Sequence, residues 1–157
     1  SVQYMQSSIE KRVTDTLAKL QKDEDGFFMM YEEAHIDKHS HSNDAEMTFF
    51  ALMRFNQVIA RFMEFAFYNP DTCVLITADH ETGGLHLDDA GEFQFVSEEH
   101  TSANVPVFAY GARAEVFDGK TVENVQIAKT IAALMGVKIE GTDPESYPAL
   151  LPIVELK

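Results

Sequence analysis

The chain has 157 residues, 12 Lys and Arg against 26 Asp and Glu, and a formal net charge of −14. That length suits one domain that buries about 70% of its unfolded surface, and 45% apolar with 24% charged residues excludes a disordered acidic chain. The acidity, with a pI near 4.6, argues against nucleic acid and anionic membrane as partners; a single cysteine, Cys73, excludes an internal disulfide and cysteine-based metal clusters.

The predicted elements alternate between helices and strands. Ile9, Val13, Leu17 and Leu20 recur at helical spacing and predict an amphipathic helix over 7–22, closed by Asp23–Gly26. Phe27-Phe28-Met29-Met30-Tyr31 reads as a short strand buried on both faces. Asn43, with Glu46 three residues on, reads as the capped start of a helix that runs to about Tyr68 and stops at Asn69-Pro70-Asp71. Apolar residues cover most of that helix's circumference, which predicts protein on more than one side of it. Thr72–Thr77 is a second fully apolar strand; Phe93–Val96 and Val105–Tyr110 are two further strand candidates. Thr121–Met135 reads as a last amphipathic helix ended by Gly136, and the proline-bearing tail after Glu140 as irregular. Helix, buried strand, helix, buried strand is the pattern of an α/β protein with a largely parallel sheet. No apolar run reaches the length of a membrane span, and the N-terminus carries no signal-peptide pattern.

In open α/β sheets ligands bind beyond the carboxyl ends of strands, and two strands here end in potential metal ligands. The first cluster is Glu32-Glu33-Ala34-His35-Ile36-Asp37-Lys38-His39-Ser40-His41; the second is Thr77-Ala78-Asp79-His80-Glu81-Thr82-Gly83-Gly84. A third contribution, His100, follows Glu98-Glu99. Imidazole with carboxylate suits Zn²⁺, and carboxylate with water suits Mg²⁺. A lone loop histidine is usually only solvated, which is the reading for His35, His39 and His86, and acidic runs such as Asp88-Asp89 usually serve solubility. The residues by themselves leave a metal site and a set of solvated loop charges both open; joint placement at strand ends and the Gly83-Gly84 pair favour the site.

The segment Phe27–Asn43 resembles the alkaline phosphatase pattern of a buried strand, Glu, four residues, Asp, three residues, His. Thr77-Ala78-Asp79-His80-Glu81-Thr82-Gly83-Gly84-Leu85 is similar to that family's most specific motif. His100-Thr101 followed by Val105-Pro106-Val107-Phe108-Ala109-Tyr110-Gly111 resembles its third block, and Glu123–Ala128 its last helix. The resemblance runs from about Ile9 to Met135 in the family's order. It implies that Asp37, His41 and His100 hold one zinc, that Asp79 and His80 hold a second, and that Glu32 reaches a magnesium. Lys38, directly after Asp37, stands where many bacterial members have a lysine that helps hold phosphate. The physics is consistent: phosphate-monoester hydrolysis is among the slowest uncatalysed reactions, and two metals about 4 Å apart can serve attacking and leaving oxygens in one in-line displacement.

The departures from the family are equally informative. Its opening Asp-Gly-x-Gly strand end, its nucleophilic Ser following Asp and its magnesium-serving Thr have no counterpart in these residues. Asp25-Gly26 precedes a strand, Asp118-Gly119 lies in a loop, Asp15-Thr16 is mid-helix and Asp71-Thr72 precedes a strand. By resemblance, residues 1–157 form a single domain, the C-terminal half of an alkaline phosphatase-like catalytic domain: an incomplete three-layer α/β/α sandwich with a largely parallel central sheet. The implied function is phosphate-monoester hydrolysis with two zincs and a magnesium, phosphate monoesters and inorganic phosphate as ligands, and the missing N-terminal half as partner. A homodimer or larger assembly and a periplasmic, cell-surface or extracellular setting for the complete protein are also implied. The alternatives are a stand-alone zinc-binding or interaction module, and a related phosphodiesterase or mutase, against which the Thr82-Gly83-Gly84 extension argues.

Overall fold

The structure is a computed structural model that describes residues 2–137, 139 and 148–151, with side chains from residue 8 onward. The element order is α1 (Val2–Leu20), α2 (His35–His41), α3 (Ala45–Tyr68), β1 (Cys73–Ile76), β2 (Glu81–Thr82), β3 (His86–Leu87), β4 (Phe93–Gln94), β5 (His100–Thr101), β6 (Phe108–Gly111), a short 3₁₀ turn (Ala114–Phe117) and α4 (Asn124–Leu134). The proline-bearing tail falls largely outside the described residues.

The two long helices build the core. Val13 and Leu17 on α1 meet Val58 on α3, and Ile9, Phe27, Met29, Tyr31, Phe62 and Phe65 close around them. Each fully buried aliphatic side chain contributes roughly 1.5–3 kcal/mol, so this seam holds α1 against α3. The cap of α3 corrects the sequence reading by one residue. Asp44, not Asn43, accepts from the Met47 backbone N–H at 2.9 Å, while Asn43 sits in the left-handed region at φ 52°. An Asp reaches N3 as well as an Asn does, so the spacing to Glu46 was no guide. α1, α2, β1 and β6 all pack against α3, but Phe49, Leu52, Met53, Phe67 and Tyr68 stay exposed, so one stretch of its apolar circumference is open among the described residues.

Residues 27–33 are extended but form no ladder among the described residues, which corrects the strand expected at Phe27–Tyr31. Their burial alternates: Phe27, Met29 and Tyr31 turn inward, Phe28 and Met30 outward. One face packs on α1 and α3; the other, with Phe28 and Met30, is exposed among the described residues. The strands that do form are antiparallel pairs: β1 with β6 (Val74 opposite Tyr110), β2 with β5 (Thr82 opposite His100) and β3 with β4. The architecture is thus mixed α/β, with antiparallel pairs where a largely parallel sheet was expected. Parallel strands need a crossover connection to lie side by side, and among the described residues the 27–33 segment pairs with no strand. The helix expected at 121–135 is α4, which starts at Asn124 after a reciprocal capping box between Glu123 and Gln126. No helix among the described residues is long and apolar enough to cross a membrane.

Candidate metal centre

Residues 35–41, read from sequence as a strand-end cluster, form the helix α2. That places Asp37 and His41 four residues apart on one helical face, where they meet His100, the first residue of β5. Asp37 Oδ1 lies 3.4 Å from His41 Nε2 and 3.6 Å from His100 Nε2, and the two Nε2 atoms lie 3.0 Å apart. Zn–N and Zn–O bonds of about 2.0–2.1 Å at tetrahedral angles put ligand atoms about 3.3 Å apart. The triangle fits such an ion, and it is the one group of metal-ligating side chains of this kind among the described residues.

The hydrogen bonds around the triangle fix which atoms are available. His41 Nδ1 faces the Glu98 carbonyl, which can only accept, so Nδ1 donates there and Nε2 is the nitrogen turned toward the centre. Thr82 Oγ1 donates to Asp37 Oδ1 at 2.6 Å. Having spent its one proton there, that hydroxyl can only accept from His80 Nδ1, 3.2 Å away. With Nδ1 turned to Thr82, His80 presents Nε2 to Asp79, 3.4 Å from its Oδ2. A His–Thr–Asp chain thus ties the two halves of the predicted site together, and the His80 and His100 rings stack with centroids 3.5 Å apart.

The loops that carry these groups depend on the glycine pair. Gly83 has φ +86°, and a Cβ there would stand 2.5 Å from Phe95 Cδ1. Gly83 also accepts from the Val96 and Ser97 amides and donates to Glu99, so the 95–99 loop that orients His41 and leads into His100 folds directly onto it. Beside it, Glu81 accepts from the Gly84 and Leu85 amides and from the Thr101 hydroxyl. Burial pushes the Glu81 carboxyl up, but the Thr101 hydroxyl, those amides and nearby His80 outweigh it and hold the group below the usual carboxylate range.

Of the residues read from sequence, Asp37, His41 and His100 come together and His80 stands against them. Asp79 is exposed, held at its carbonyl by Asn124 Nδ2 at 2.6 Å; Glu32 and Lys38 are exposed and stand outside the triangle. His35 and His39 lie apart from it, their rings near one another. Sequence reasoning missed Thr82 as a partner of Asp37, the Glu98 carbonyl and Asn124. Thr82, two residues after His80, was a usable signal; a backbone carbonyl carries none.

The family profile described as alkaline phosphatase matches residues 3–96. Alkaline phosphatases 3 and 4 of Bacillus subtilis are 29% and 31% identical over 83% and 90% of this chain. The chain spans only 27% and 29% of their lengths. Among solved structures, alkaline phosphatase from the Antarctic bacterium TAB5 superposes with a TM-score of 0.73 at 31% identity, over 80% of this chain and 40% of that one.

Proposed function

Because the chain belongs to the alkaline phosphatase family, we propose that it supplies the metal centre of a phosphate-monoester hydrolase. The observation that carries this is the triangle of Asp37 Oδ1, His41 Nε2 and His100 Nε2, whose separations suit one tetrahedral zinc. Bound there, zinc would supply Lewis acidity, polarising phosphoryl oxygens and making water acidic enough to act near neutral pH. The chain's own residues do the rest. The Glu98 carbonyl and Thr82 hydroxyl hold the His41 imidazole and Asp37 carboxylate in ligating orientation. Asp79 and His80 form the second zinc half-site, tied to the first through Thr82, and Glu32 is the magnesium ligand. Lys38, exposed directly after Asp37, meets the phosphate dianion as a point charge.

These 157 residues contain no Ser preceded by Asp, and the nucleophile of the reaction is drawn from outside them. The reading extends to a three-layer domain completed by the remaining N-terminal part, to a homodimer or larger assembly, and to a setting in the periplasm, at the cell surface or outside the cell. A covalent nucleophile starts the reaction, and without it metal and electrostatic effects leave only weak residual hydrolysis. With zinc and magnesium at alkaline pH, the chain alone is expected to hydrolyse an aryl phosphate barely above background. Adding the N-terminal part of the domain restores turnover, and Asp79→Ala or His80→Ala then removes most of it. Robust turnover by the purified chain alone, lost in Asp37→Ala, would refute the division of labour. Failure of the parent chain to bind zinc would refute the centre.

A further inference from the structure

The inward positions of the extended 27–33 segment are Phe27, Met29, Tyr31 and Glu33. Three carry what such positions call for, and Tyr31 stacks on Phe55 and meets Phe62. The fourth is a carboxylate whose side chain is 3% exposed. Burying a charge is expensive unless it is paired and hydrogen-bonded, and Glu33 is both. Its Oε2 accepts from Arg54 Nη2 on α3 at 2.8 Å. Its Oε1 faces His35 Nδ1 at 3.0 Å and the His35 backbone N–H at 3.4 Å. The pairing is not ideal for stability, since Arg54 Nε is buried with no partner among the described residues. Two apolar side chains of similar volume would commonly hold such a position as well or better.

What the pair does hold is α2. That helix has seven residues and no side-chain cap at Ala34, too short to persist by itself. Both ligands it contributes, Asp37 and His41, move with it, whereas His100 comes from β5. Any tilt or rotation of α2 changes the 3.4 and 3.6 Å separations on which a tetrahedral ion depends.

Resting on the metal-centre reading above, we propose that Glu33 is a positioning residue of that centre and Arg54 its counter-ion. Their buried pair anchors the first turn of α2 to α3 and so sets where Asp37 and His41 stand relative to His100. Because residue 33 turns inward, the neighbouring Glu32 is turned outward, which leaves that carboxylate accessible to a cation.

The experiment separates holding the fold from placing the ligands. In the full chain, zinc affinity is measured by chelator competition, coordination by the visible spectrum of the Co²⁺-substituted protein, and stability by metal-free thermal unfolding. Glu33→Gln and the double variant Glu33→Leu with Arg54→Met are compared with the parent. Support of a ligand from outside the coordination sphere is worth roughly 10–100-fold in metal affinity. Both variants are therefore expected to bind zinc at least about tenfold more weakly, with a Co²⁺ spectrum altered in intensity and position. The double variant, which leaves no unpaired buried charge, is expected to match the parent in metal-free unfolding. If Glu33→Gln does not fold, the double variant decides alone. Parent-like affinity and spectrum in the double variant would overturn the proposal while leaving the metal centre standing. Absence of zinc binding by the parent would refute the centre and this inference with it.

Discussion

Replacing His100 by Ala tests the centre where it is most exposed to failure. In the metal-free chain His100 is half exposed; it shares a 3.0 Å contact with His41 and stacks on His80. Losing one solvent-accessible hydrogen bond costs about 1 kcal/mol or less. Metal-free unfolding should therefore barely change. Zinc changes the comparison. A ligand that binds only the folded form stabilises it by about 2.7 kcal/mol at a free concentration of 100 times its dissociation constant. For a domain of this size that raises the melting temperature by about 10 °C, at about 4 °C per kcal/mol. His100→Ala leaves Asp37 Oδ1 and His41 Nε2, 3.4 Å apart, as a two-ligand site. If affinity falls a hundredfold, the gain at the same zinc concentration drops to about 0.4 kcal/mol, a shift of roughly 1–2 °C. Differential scanning calorimetry of both proteins, with and without zinc, measures all four quantities. The zinc-dependent shift should also shrink on acidification, because protonated imidazole cannot ligate. An equal shift in His100→Ala and the parent would refute the assignment of His100, and no shift in the parent would refute the site.

Gly83→Ala is expected to lower stability by roughly 2–4 kcal/mol, from the positive φ and the overlap with Phe95. It should also weaken zinc binding, because the displaced loop carries the Glu98 carbonyl. Urea unfolding with a zinc titration checks this, and an unchanged midpoint would count against it. Large apolar side chains of the 27–33 segment and α3 are exposed among the described residues, Phe28, Met30, Phe49, Leu52, Met53, Phe67 and Tyr68 among them, and exposed apolar surface favours association. Copies of this chain are expected to associate; light scattering showing a clean monomer, with little binding of an apolar dye, would overturn that.

How much of this was legible in the sequence depends on the range of the forces involved. The periodicity of Ile9, Val13 and Leu17 and the apolar density between Met47 and Phe65 announced α1 and α3, because helical amphipathicity is a local pattern. The grouping was legible in part: resemblance to the family singled out Asp37, His41 and His100 as one set, and the structure brings those three together. Even the four-residue step from Asp37 to His41 carried the helix that was read as a strand-end loop. Tertiary structure alone decided the rest. His100 lies 59 residues from His41 in sequence, and only the β2–β5 pairing and the loop folded on Gly83 bring their Nε2 atoms to 3.0 Å. The direction of strand pairing followed from which strands lie side by side, a property no single strand contains. Glu32 and Glu33 are identical in type and adjacent in sequence, yet one faces solvent and the other is buried against Arg54. The alternation of an extended backbone, set by how Tyr31 packs on α3, assigns them opposite environments.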